Sequence, residues 1–572
     1  MNSETKIHSN DSVPAACQNC KKDFIIEPDD FSFYEKIKVP PPTFCSECRF
    51  QRRIMFKNEM VFNKRECDLC GKSLISICNP ENIPKVFCHK CWWSDKWDTG
   101  DYYLDYDSNK NFFEQLKELQ QKTPFEQKIT DYATVINSDY INYAGSCKNC
   151  YLIFNADFCE NVYYSSILAH VQDSADLLMA SAELSYGSID IDGSRIYFSE
   201  NCSDCINIWY CKNCIGCNDC FGCMNLIKKN YYIYNQPYTK EEYNKKIKEL
   251  ELHKYSTHLE IKKIIYDFWK KFPHRYMYGR MNKDATGDYV FNSKNAKDCY
   301  QGRFMEDSAY CQFVTLATVR DCYDLSGWGN GAELCVDSSN CGEGVSRVNY
   351  SVTTWANCRN VEYGMYVINC NNCFGCLNLR KKEYCILNKQ YTKEEYFTLR
   401  DEIIASLEKN PYIDRKGRVW KYGEFIPYDV CPFSYNESVA NQYFPLNKDE
   451  IENLGFSYTE PKKPNYQKTI EIENIPDSIN DISDNFVDEI IQCSCGKFYK
   501  IAEGELQLLK RFGIPIPRQC FDCRHMIRIR RTNLPYFYNR VCDKCGESIR
   551  TSYSPDRLEI IYCEKCYQQE VY

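Results

Sequence analysis

A short pattern of polar and apolar positions recurs through the middle of the chain. Two variable residues precede an Asn or Asp, and an apolar residue, often with an aromatic residue, comes next. Asn and Asp tolerate left-handed turns, and the residues after them suit short strands, so each copy predicts one turn and one strand. Copies include Cys147-Lys148-Asn149-Cys150-Tyr151, Cys159-Glu160-Asn161-Val162-Tyr163, Cys202-Ser203-Asp204-Cys205-Ile206, Cys211-Lys212-Asn213-Cys214-Ile215 and Asn371-Asn372-Cys373-Phe374.

Successive copies begin mostly 9 to 15 residues apart along the chain. This spacing predicts a parallel β-helix (a β-solenoid), with two or three turn-and-strand units in each coil. Two packed β-sheets are the alternative fold for the region.

The middle of the chain is also duplicated. Residues 217–243 align with residues 370–396 at a shift of 153, with 19 identities in 27 positions. Thr239 with Glu242, and Thr392 with Glu395, have the spacing of a capping box, so a helix should begin after each. Helical patterns at 245–271 and 397–409 would then close two solenoid blocks, 132–275 and 276–415.

Composition adds the main chemical clue. The 572 residues predict three to five structural units, and 44% hydrophobic with 26% charged residues excludes wholesale disorder. A net charge of -8 does not suit a polycation that coats nucleic acid. No apolar run is long enough for a membrane span and the N-terminus is polar, so we expect a cytoplasmic chain. In that compartment, 38 cysteines against 7 histidines favour metal-bound thiolates over disulfides.

The cysteines at both ends fall in pairs that share one spacing. The gaps between successive pairs are the same at each end, and from Cys20 to Cys91 adding 475 reaches each counterpart. The same shift relates Arg49 to Arg524 and Arg65 to Arg540. One double module therefore occurs twice. Its predicted metal ligands are Cys17, Cys20, Cys45, Cys48, Cys67, Cys70, Cys88 and Cys91, and Cys493, Cys495, Cys520, Cys523, Cys542, Cys545, Cys563 and Cys566.

This spacing points to zinc. Two residues between thiolates let one tight turn present both sulfurs to a tetrahedral ion at about 2.3 Å, and a later pair completes a closed, structural four-sulfur site. About four zinc ions are expected. Sequential pairs sharing a metal are the simplest assignment, and a cross-braced arrangement is the alternative.

The stretch Cys17-Gln18-Asn19-Cys20, Phe33-Tyr34, Pro40-Pro41-Pro42 and Cys45-Ser46-Glu47-Cys48-Arg49 resembles a known family. It is similar to the "probable zinc-ribbon" or treble-clef-like domains of uncharacterised bacterial proteins. The resemblance covers the paired-cysteine module at each end and implies zinc without catalysis. In the C-terminal copy, Cys493-Ser494-Cys495 is one residue shorter and Leu508-Leu509 replaces Phe33-Tyr34.

A basic stretch with a net charge of +4 follows the second cysteine pair at each end, with aromatic residues in or beside it. Arginines that contact phosphate and rings that stack on bases are typical of single-strand recognition. These stretches predict contact with RNA or single-stranded DNA, and a solvated or protein-binding face is the alternative. The candidate contacts are Arg49, Arg52, Arg53, Arg65, Arg524, Arg528, Arg530, Arg531 and Arg540.

The central cysteines favour a packing role. Cys211, Cys214, Cys217, Cys220 and Cys223 recur at every third position, as in bacterial ferredoxins, but no proline follows them. Cysteine is a small apolar filler for stacked interior positions. A further metal in this run is the alternative.

Catalysis is not expected. Some β-helix proteins cleave glycans with clustered acids, for which Asp173, Asp176, Asp190 and Asp192 are candidates, but solvated turns are the more ordinary explanation of these acids. The predicted function is therefore non-catalytic zinc-dependent binding of nucleic acid. Protein binding at the tyrosine-rich solenoid surface is the main alternative, and a glycan-active enzyme is a remote one.

The join at 462–489 contains prolines, and its residues 471–489 carry seven acids and no base, which predicts a flexible linker. The alternative is that this acidic strip folds back onto the basic stretch at 524–531 and competes with an anionic ligand. The complete organisation predicted is a disordered tail (1–16), a double zinc-ribbon module (17–100), a helical connector (101–131), solenoid block 1 with its capping helix (132–275), solenoid block 2 with its capping helix (276–415), a connector with the acidic linker (416–489) and a second double zinc-ribbon module (490–572).

Overall fold

The structure is a computed structural model that describes residues 12–316, 318–462 and 466–571. Strands account for 34% of it and helices for 24%, so the prediction of a mainly β, multidomain chain is confirmed. Two compact units are present, and neither is continuous in sequence. Unit 1 comprises residues up to 127, 277–459 and 535–537, and unit 2 comprises 128–276, 460–534 and 538 onward.

Unit 2 contains a stack of parallel strands from 141 to 233, which we call the first stack. Its strands pair in chain order, and a short antiparallel strand at 236–237 forms one edge of the sheet. The register advances by one constant step in most pairings: Cys147 pairs with Cys159, Trp209 with Phe221, and Phe221 with Ile233. Apolar positions therefore repeat directly above one another.

Within each strand pairing, the direction of the side chains repeats every three residues. Cys147 and Cys150 point into the core, and Asn149 between them has a φ of 54°, in the left-handed region. Asn161 and Asp204 have the same conformation, with φ of 56° and 55°, so the predicted left-handed role of Asn and Asp is confirmed. The chain bends at these positions, and its inward side chains recur at every third position.

Unit 1 contains the second stack, residues 279–390, in which the parallel register varies. Val290 pairs with Gly302 and Leu325 pairs with Ser338. Six of its strands pair in a closed parallel ring: Met305–Ala309, Val319–Arg320, Ala332–Glu333, Ser346–Asn349, Val336–Cys341 and Tyr323–Trp328.

One glycine in each stack lies at a shift in strand register. Gly193 has a φ of 141°, and a Cβ built on it would lie 2.2 Å from the carbonyl oxygen of Cys205. Gly287 has a φ of 134°, and its Cβ would lie 1.8 Å from the carbonyl oxygen of Cys299. Only glycine permits both this conformation and this close approach of two backbones.

The central cysteines fill the interior of both stacks, as the packing interpretation predicts. Cys211, Cys214, Cys217, Cys220 and Cys223 are all fully buried. The thiol of Cys211 donates to the carbonyl oxygens of Trp209 at 3.4 Å and Cys220 at 3.6 Å. Cys217 likewise donates to the carbonyl oxygens of Ile215 and Leu226. Main-chain carbonyl oxygens thus accept hydrogen bonds from thiols that are buried away from solvent.

A helix follows each stack where the capping boxes predict it. Thr239 accepts from the Glu242 amide, Thr392 accepts from the Glu395 amide, and both boxes are complete. The helix expected at 245–271 is instead two helices. The first ends at Glu249, and the second begins at Tyr255.

The predicted acidic linker differs from the structure. Ile475, Ile479, Ile482 and Phe486 are buried in the core of unit 2, because the acids of this segment alternate with apolar residues that pack inward. Of the predicted disordered tail, residues 1–11 lie outside the described residues. The end of that segment, Val13–Ala16, forms a strand that pairs with Asp23–Ile26, so the tail prediction is wrong there.

The helices of unit 1, including the short 3-10 segments, are Pro28–Ile37, Ser46–Met55, His89–Trp92, Thr99–Asp101, Phe112–Lys122, Lys393–Lys409, Tyr428–Val430, Tyr435–Glu437, Ala440–Tyr443 and Lys448–Asn453. Its strands, besides the six in the ring, are Val13–Ala16, Asp23–Ile26, Asn63–Glu66, Ser73–Ser76, Val86–Phe87, Phe125–Glu126, Gly279–Arg280, Lys283–Phe291, Lys294–Arg303, Val352–Trp355, Arg359–Glu362, Met365–Ile368, Asn371–Phe374, Glu383–Ile386, Lys389–Gln390, Tyr412–Ile413 and Val419–Trp420.

The helices of unit 2, again with 3-10 segments, are Lys240–Glu249, Tyr255–Trp269, Ile472–Asn474, Ile479–Asp481, Asp484–Asp488, Glu503–Phe512, Phe521–Arg531 and Glu564–Val571. Its strands are Ile141–Lys148, Tyr151–Ala175, Leu178–Glu183, Ile189–Tyr197, Glu200–Trp209, Asn218–Phe221, Asn230–Ile233, Gln236–Pro237, His274–Arg275, Ile491–Gln492, Phe498–Tyr499, Tyr538–Val541, Ser548–Thr551 and Ile561–Tyr562.

Candidate metal centres and the arginine helices beside them

Four groups of four cysteines bring their sulfurs together. Within each group all four sulfurs lie within 4.8 Å of one another, which suits one metal ion. Successive pairs along the chain form each group, in the sequential rather than the cross-braced arrangement. The groups, called tetrads 1 to 4 here, are Cys17, Cys20, Cys45 and Cys48; Cys67, Cys70, Cys88 and Cys91; Cys493, Cys495, Cys520 and Cys523; and Cys542, Cys545, Cys563 and Cys566.

The first pair of each tetrad lies in a tight turn between two short strands. In tetrad 2 the amide of Gly71 donates to the carbonyl oxygen of Cys67 at 2.8 Å, and Gly71 has a φ of 72°. Lys21, Gly496 and Gly546 occupy the same left-handed position in the other tetrads. Gly496 lies 475 residues after Lys21, whereas Cys493 lies 476 residues after Cys17. The turn that holds the first cysteine pair is therefore one residue shorter in tetrad 3 than in tetrad 1.

The second pair of each tetrad begins a helix. Cys45, Cys88 and Cys520 are the N-caps of the helices at 46–55, 89–92 and 521–531. Cys563 directly precedes the helix at 564–571. The positive end of the helix dipole favours thiolates at these positions.

Main-chain amides also point at the sulfurs. The Cys88 amide donates to Cys67 Sγ at 3.3 Å, the Cys520 amide to Cys493 Sγ at 3.3 Å, and the Cys563 amide to Cys542 Sγ at 3.2 Å. Burial opposes the charged form of Cys493, yet the amides of Cys495 and Cys520 lower its pKa to about 6. Four thiolates without an open position are the donor set of a structural site, and they fit zinc.

In unit 1 the helix that begins at Cys45 carries three predicted nucleic-acid contacts, and all three are buried. Arg52 and Arg53 have exposed fractions of 0%, and Arg49 has 3%. Arg49 Nε donates to Asp324 Oδ2 at 2.9 Å, while Arg53 Nη1 donates to the other oxygen of Asp324 at 3.0 Å.

Asp337 of the second stack also binds two of these arginines. It accepts from Arg53 at 2.9 Å and from Arg52. Arg52 Nη1 also donates to Glu424 Oε2 at 2.7 Å. Although burial raises the pKa of Asp337, Arg52 and Arg53 hold it below its usual value, so the carboxyl stays charged.

Unit 2 repeats this arrangement with the helix that begins at Cys520. Arg524 Nη1 lies 2.8 Å from Asp176 Oδ2, and Arg528 Nη1 lies 2.9 Å from Asp176 Oδ1. Arg531 forms an ion pair with Glu200, whose pKa Arg531 and Lys212 hold below its usual value against the effect of burial. The acids belong to the first stack, and the arginines flank tetrad 3.

The two clamps correspond residue by residue. The 475 shift relates Arg49 and Arg53 to Arg524 and Arg528, and in each unit this pair grips one aspartate. Arg49 lies over the Tyr310 ring at 5.3 Å, as Arg524 lies over the Tyr164 ring at 4.9 Å. We call each set, two arginines one helical turn apart around one stack aspartate, an arginine clamp.

The remaining predicted nucleic-acid contacts lie elsewhere in the modules. Arg65 donates to the carbonyl oxygens of Ile83 and Pro84, both at 2.8 Å, and Arg540 donates to that of Ser554 at 3.2 Å. Arg530 is exposed. Most of these cations therefore contact acids or carbonyl groups of the protein itself, in positions where a phosphate would have to displace those groups.

Sequence reasoning missed the acids that hold the arginines. Asp324, Asp337 and Glu424 lie far along the chain from their partners, and no local pattern marks them. Asp176 is a sequence candidate only as a possible glycan-cleaving acid, with Asp173, Asp190 and Asp192. Asp173 pairs with the Arg511 side chain at 3.2 Å, so two of these four acids serve in ion pairs within unit 2.

No protein-family model and no curated protein matches the chain. Among solved structures, one described as a "putative acetyltransferase from Desulfovibrio desulfuricans G20" is 9% identical and covers 50% of this chain and 81% of its own, with a TM-score of 0.09. Similarity at that level carries no argument about fold or activity. Over the part of the chain that the structure describes, no helix is long and apolar enough to cross a membrane.

Proposed function

We propose that the chain is a non-catalytic binding scaffold in which zinc ions hold small modules against two β-solenoid blocks. The nearly constant parallel register of the first stack, with side chains pointing inward at every third position, supports the solenoid interpretation. Stacked repeats of this kind present long, regular surfaces to partners. The protein partner would bind there, where tyrosines are abundant.

The arginine clamp carries this proposal. Cys45 and Cys520 each belong to a metal tetrad and begin the helix whose arginines reach the stack. An ion bound by four thiolates fixes the start of that helix, and the clamp fixes the helix on the solenoid. The role of the metal is therefore structural, in keeping with a closed four-sulfur site.

Zinc is the metal that this donor set favours. Thiolate ligands select soft or borderline ions, and four of them in a closed site are typical of structural zinc. The turn between two strands followed by a pair at a helix start also supports the likeness to treble-clef-like zinc domains. All 38 cysteines lie in the described residues and none of them forms a disulfide, which suits the reducing cytoplasm.

The proposed function does not include binding of RNA or single-stranded DNA by the arginine helices. Phosphate binding would require Arg49, Arg53, Arg524 and Arg528 to leave buried carboxylates. A buried charge that loses its partner destabilises a protein by about 3–5 kcal/mol.

Metal analysis of the purified full-length chain tests the proposal. We expect four zinc ions for each chain, one for each tetrad. Cys48→Ser should reduce the content to three. Cys78→Ser is the matched control, because Cys78 is buried in the same module but donates its thiol to the carbonyl oxygen of Glu126 and belongs to no tetrad.

A zinc content that stays at four in Cys48→Ser would contradict the proposal. So would a protein that retains all its helix protection at 46–55 and 521–531, measured by hydrogen exchange, after a strong chelator has removed the metal. Hydrolysis of a glycan by the loaded protein would overturn its non-catalytic part.

A further inference from the structure

One cysteine in each tetrad is exposed, and it occupies the same place every time. It is the second cysteine of the first pair. In each tetrad the two flanking cysteines in sequence, such as Cys17 and Cys45 in tetrad 1, are less exposed. The four exposed residues are Cys20, Cys70, Cys495 and Cys545.

Each exposed cysteine also has a close partner in the second pair. Cys20 Sγ lies 3.8 Å from Cys45 Sγ, and Cys70 Sγ lies 3.9 Å from Cys88 Sγ. The C-terminal tetrads repeat the contact, with 3.6 Å between Cys495 and Cys520 and 3.8 Å between Cys545 and Cys563. The partner is always the cysteine directly before a helix.

The first cysteine of the pair is a poorer partner. Cys67, Cys493 and Cys542 are buried, and each accepts a hydrogen bond from a main-chain amide. Such a bond withdraws electron density from the sulfur and fixes its position. Attack on a neighbouring sulfur would break it.

We propose that Cys20, Cys70, Cys495 and Cys545 are oxidation sites for peroxides, and that each oxidised sulfur is resolved by the cysteine that precedes the adjacent helix. The products are the disulfides Cys20–Cys45, Cys70–Cys88, Cys495–Cys520 and Cys545–Cys563, with loss of the bound zinc. This inference rests on the proposed zinc-binding function.

The chemistry balances in two steps. The thiolate of Cys20 attacks one peroxide oxygen, the O–O bond breaks, and a sulfenic acid and a hydroxide ion form. The thiolate of Cys45 then attacks the sulfenic sulfur, the S–S bond forms, and the oxygen leaves as a second hydroxide ion. Two electrons pass from the two sulfurs to the peroxide, and a bound zinc ion would keep only two of its four sulfur ligands.

Oxidation at tetrads 1 and 3 would disturb the start of the two helices that carry the arginine clamps. Cys45 and Cys520 begin the helices that carry Arg49 and Arg524. A disulfide at either cysteine would remove it as a ligand of any bound zinc and change the start of its helix, while the arginines of that helix stay in the stack. The oxidised protein should therefore show faster hydrogen exchange at the first turn of both helices.

Disulfide mapping tests the pairing. The full-length zinc-loaded chain is treated with a few equivalents of hydrogen peroxide, remaining thiols are alkylated under denaturing conditions, and cross-linked peptides are identified by mass spectrometry. A chromogenic chelator follows zinc release at the same time. We expect the four named disulfides to form together with zinc release, while the buried cysteines of both stacks, such as Cys214 and Cys373, remain alkylatable.

Cys545→Ser should lose the Cys545–Cys563 disulfide and keep the other three, whereas Cys78→Ser should keep all four. Predominant disulfides within the first pairs, such as Cys67–Cys70, or among stack cysteines would overturn the proposal. So would zinc release without any disulfide. Zinc analysis before oxidation separates the two ideas: a loaded protein with other disulfides contradicts only this inference, whereas a chain without zinc contradicts both.

Discussion

A buried aspartate held by two arginines is the defining side-chain arrangement of each unit. Asp176 in unit 2 and Asp324 in unit 1 have exposed fractions of 2% and 1%, and both carboxylate oxygens of each are paired. Removing two charges from water is costly, and their attraction repays that cost only when geometry is good. The pairs therefore specify where the helix binds more than they add stability.

Asp176→Asn should destabilise unit 2 by about 3–5 kcal/mol, because it leaves the Arg528 guanidinium buried without its anion. Asp173→Asn is the matched control. Its partner, Arg511, has a side chain that is 55% exposed, so its loss should cost no more than about 1 kcal/mol. Urea unfolding of both variants gives the comparison, and equal losses would contradict the clamp.

The sequence predicts a functional residue when its partners are close to it along the chain, and fails when they are far away. The sixteen cysteines of the four tetrads lie within regularly spaced pairs, so the sequence identifies every member of a group that could hold a metal ion. The arginines stand out in the sequence as a cationic group, but the sequence prediction pairs them with phosphate. In the structure they contact distant acids such as Asp337, which is 284 residues away from Arg53, and charge patterning within a segment cannot reveal such partners.

At the scale of the element, the repeating unit of the first stack is three residues long: one residue in three has a left-handed backbone and one in three points inward. The sequence pattern predicts a longer unit, made of one turn and one strand. Asn149 and Asn161 mark the left-handed positions, and the sequence pattern predicts these. It does not predict the same conformation at Tyr164 and Ile167, because bulky residues seldom adopt it unless stacked neighbours impose it. The pattern therefore indicates the turns but predicts too long a repeat.

Gly193→Ala should disrupt the stack at its register shift. The added methyl group would meet the carbonyl oxygen of Cys205 in the next strand, and backbone cannot move aside as a side chain can. We expect a loss of roughly 3 kcal/mol or more. Gly513→Ala is the control, since Gly513 is also left-handed but has open space around it, so its loss should be about 1–2 kcal/mol. Thermal unfolding followed by circular dichroism distinguishes the two.

At the scale of the whole molecule, modules that share a compact unit are not neighbours along the chain. The N-terminal module belongs with the second stack, and the C-terminal module belongs with the first. Duplication is evident from the 475 and 153 shifts, but neither shift shows which module contacts which stack. That choice depends on surface complementarity between distant segments.

Damage to one metal site should therefore appear in a distant part of the sequence. Cys48→Ser should speed hydrogen exchange at 323–341 in the second stack and leave 151–209 in the first stack unchanged. Cys523→Ser, its counterpart at the 475 shift, should do the reverse. Exchange that increases only in the stack nearest along the chain would contradict the interleaved units.

Interleaving also has a consequence for synthesis on the ribosome. Arg53 leaves the ribosome well before Asp337, and at about 5–20 residues per second their separation of 284 residues corresponds to roughly 15–60 s. Asp176, in contrast, is made long before Arg528. The N-terminal module of the nascent chain must therefore carry Arg53 without its partner Asp337 while the next 284 residues are made, whereas the C-terminal module meets a finished binding surface as it emerges.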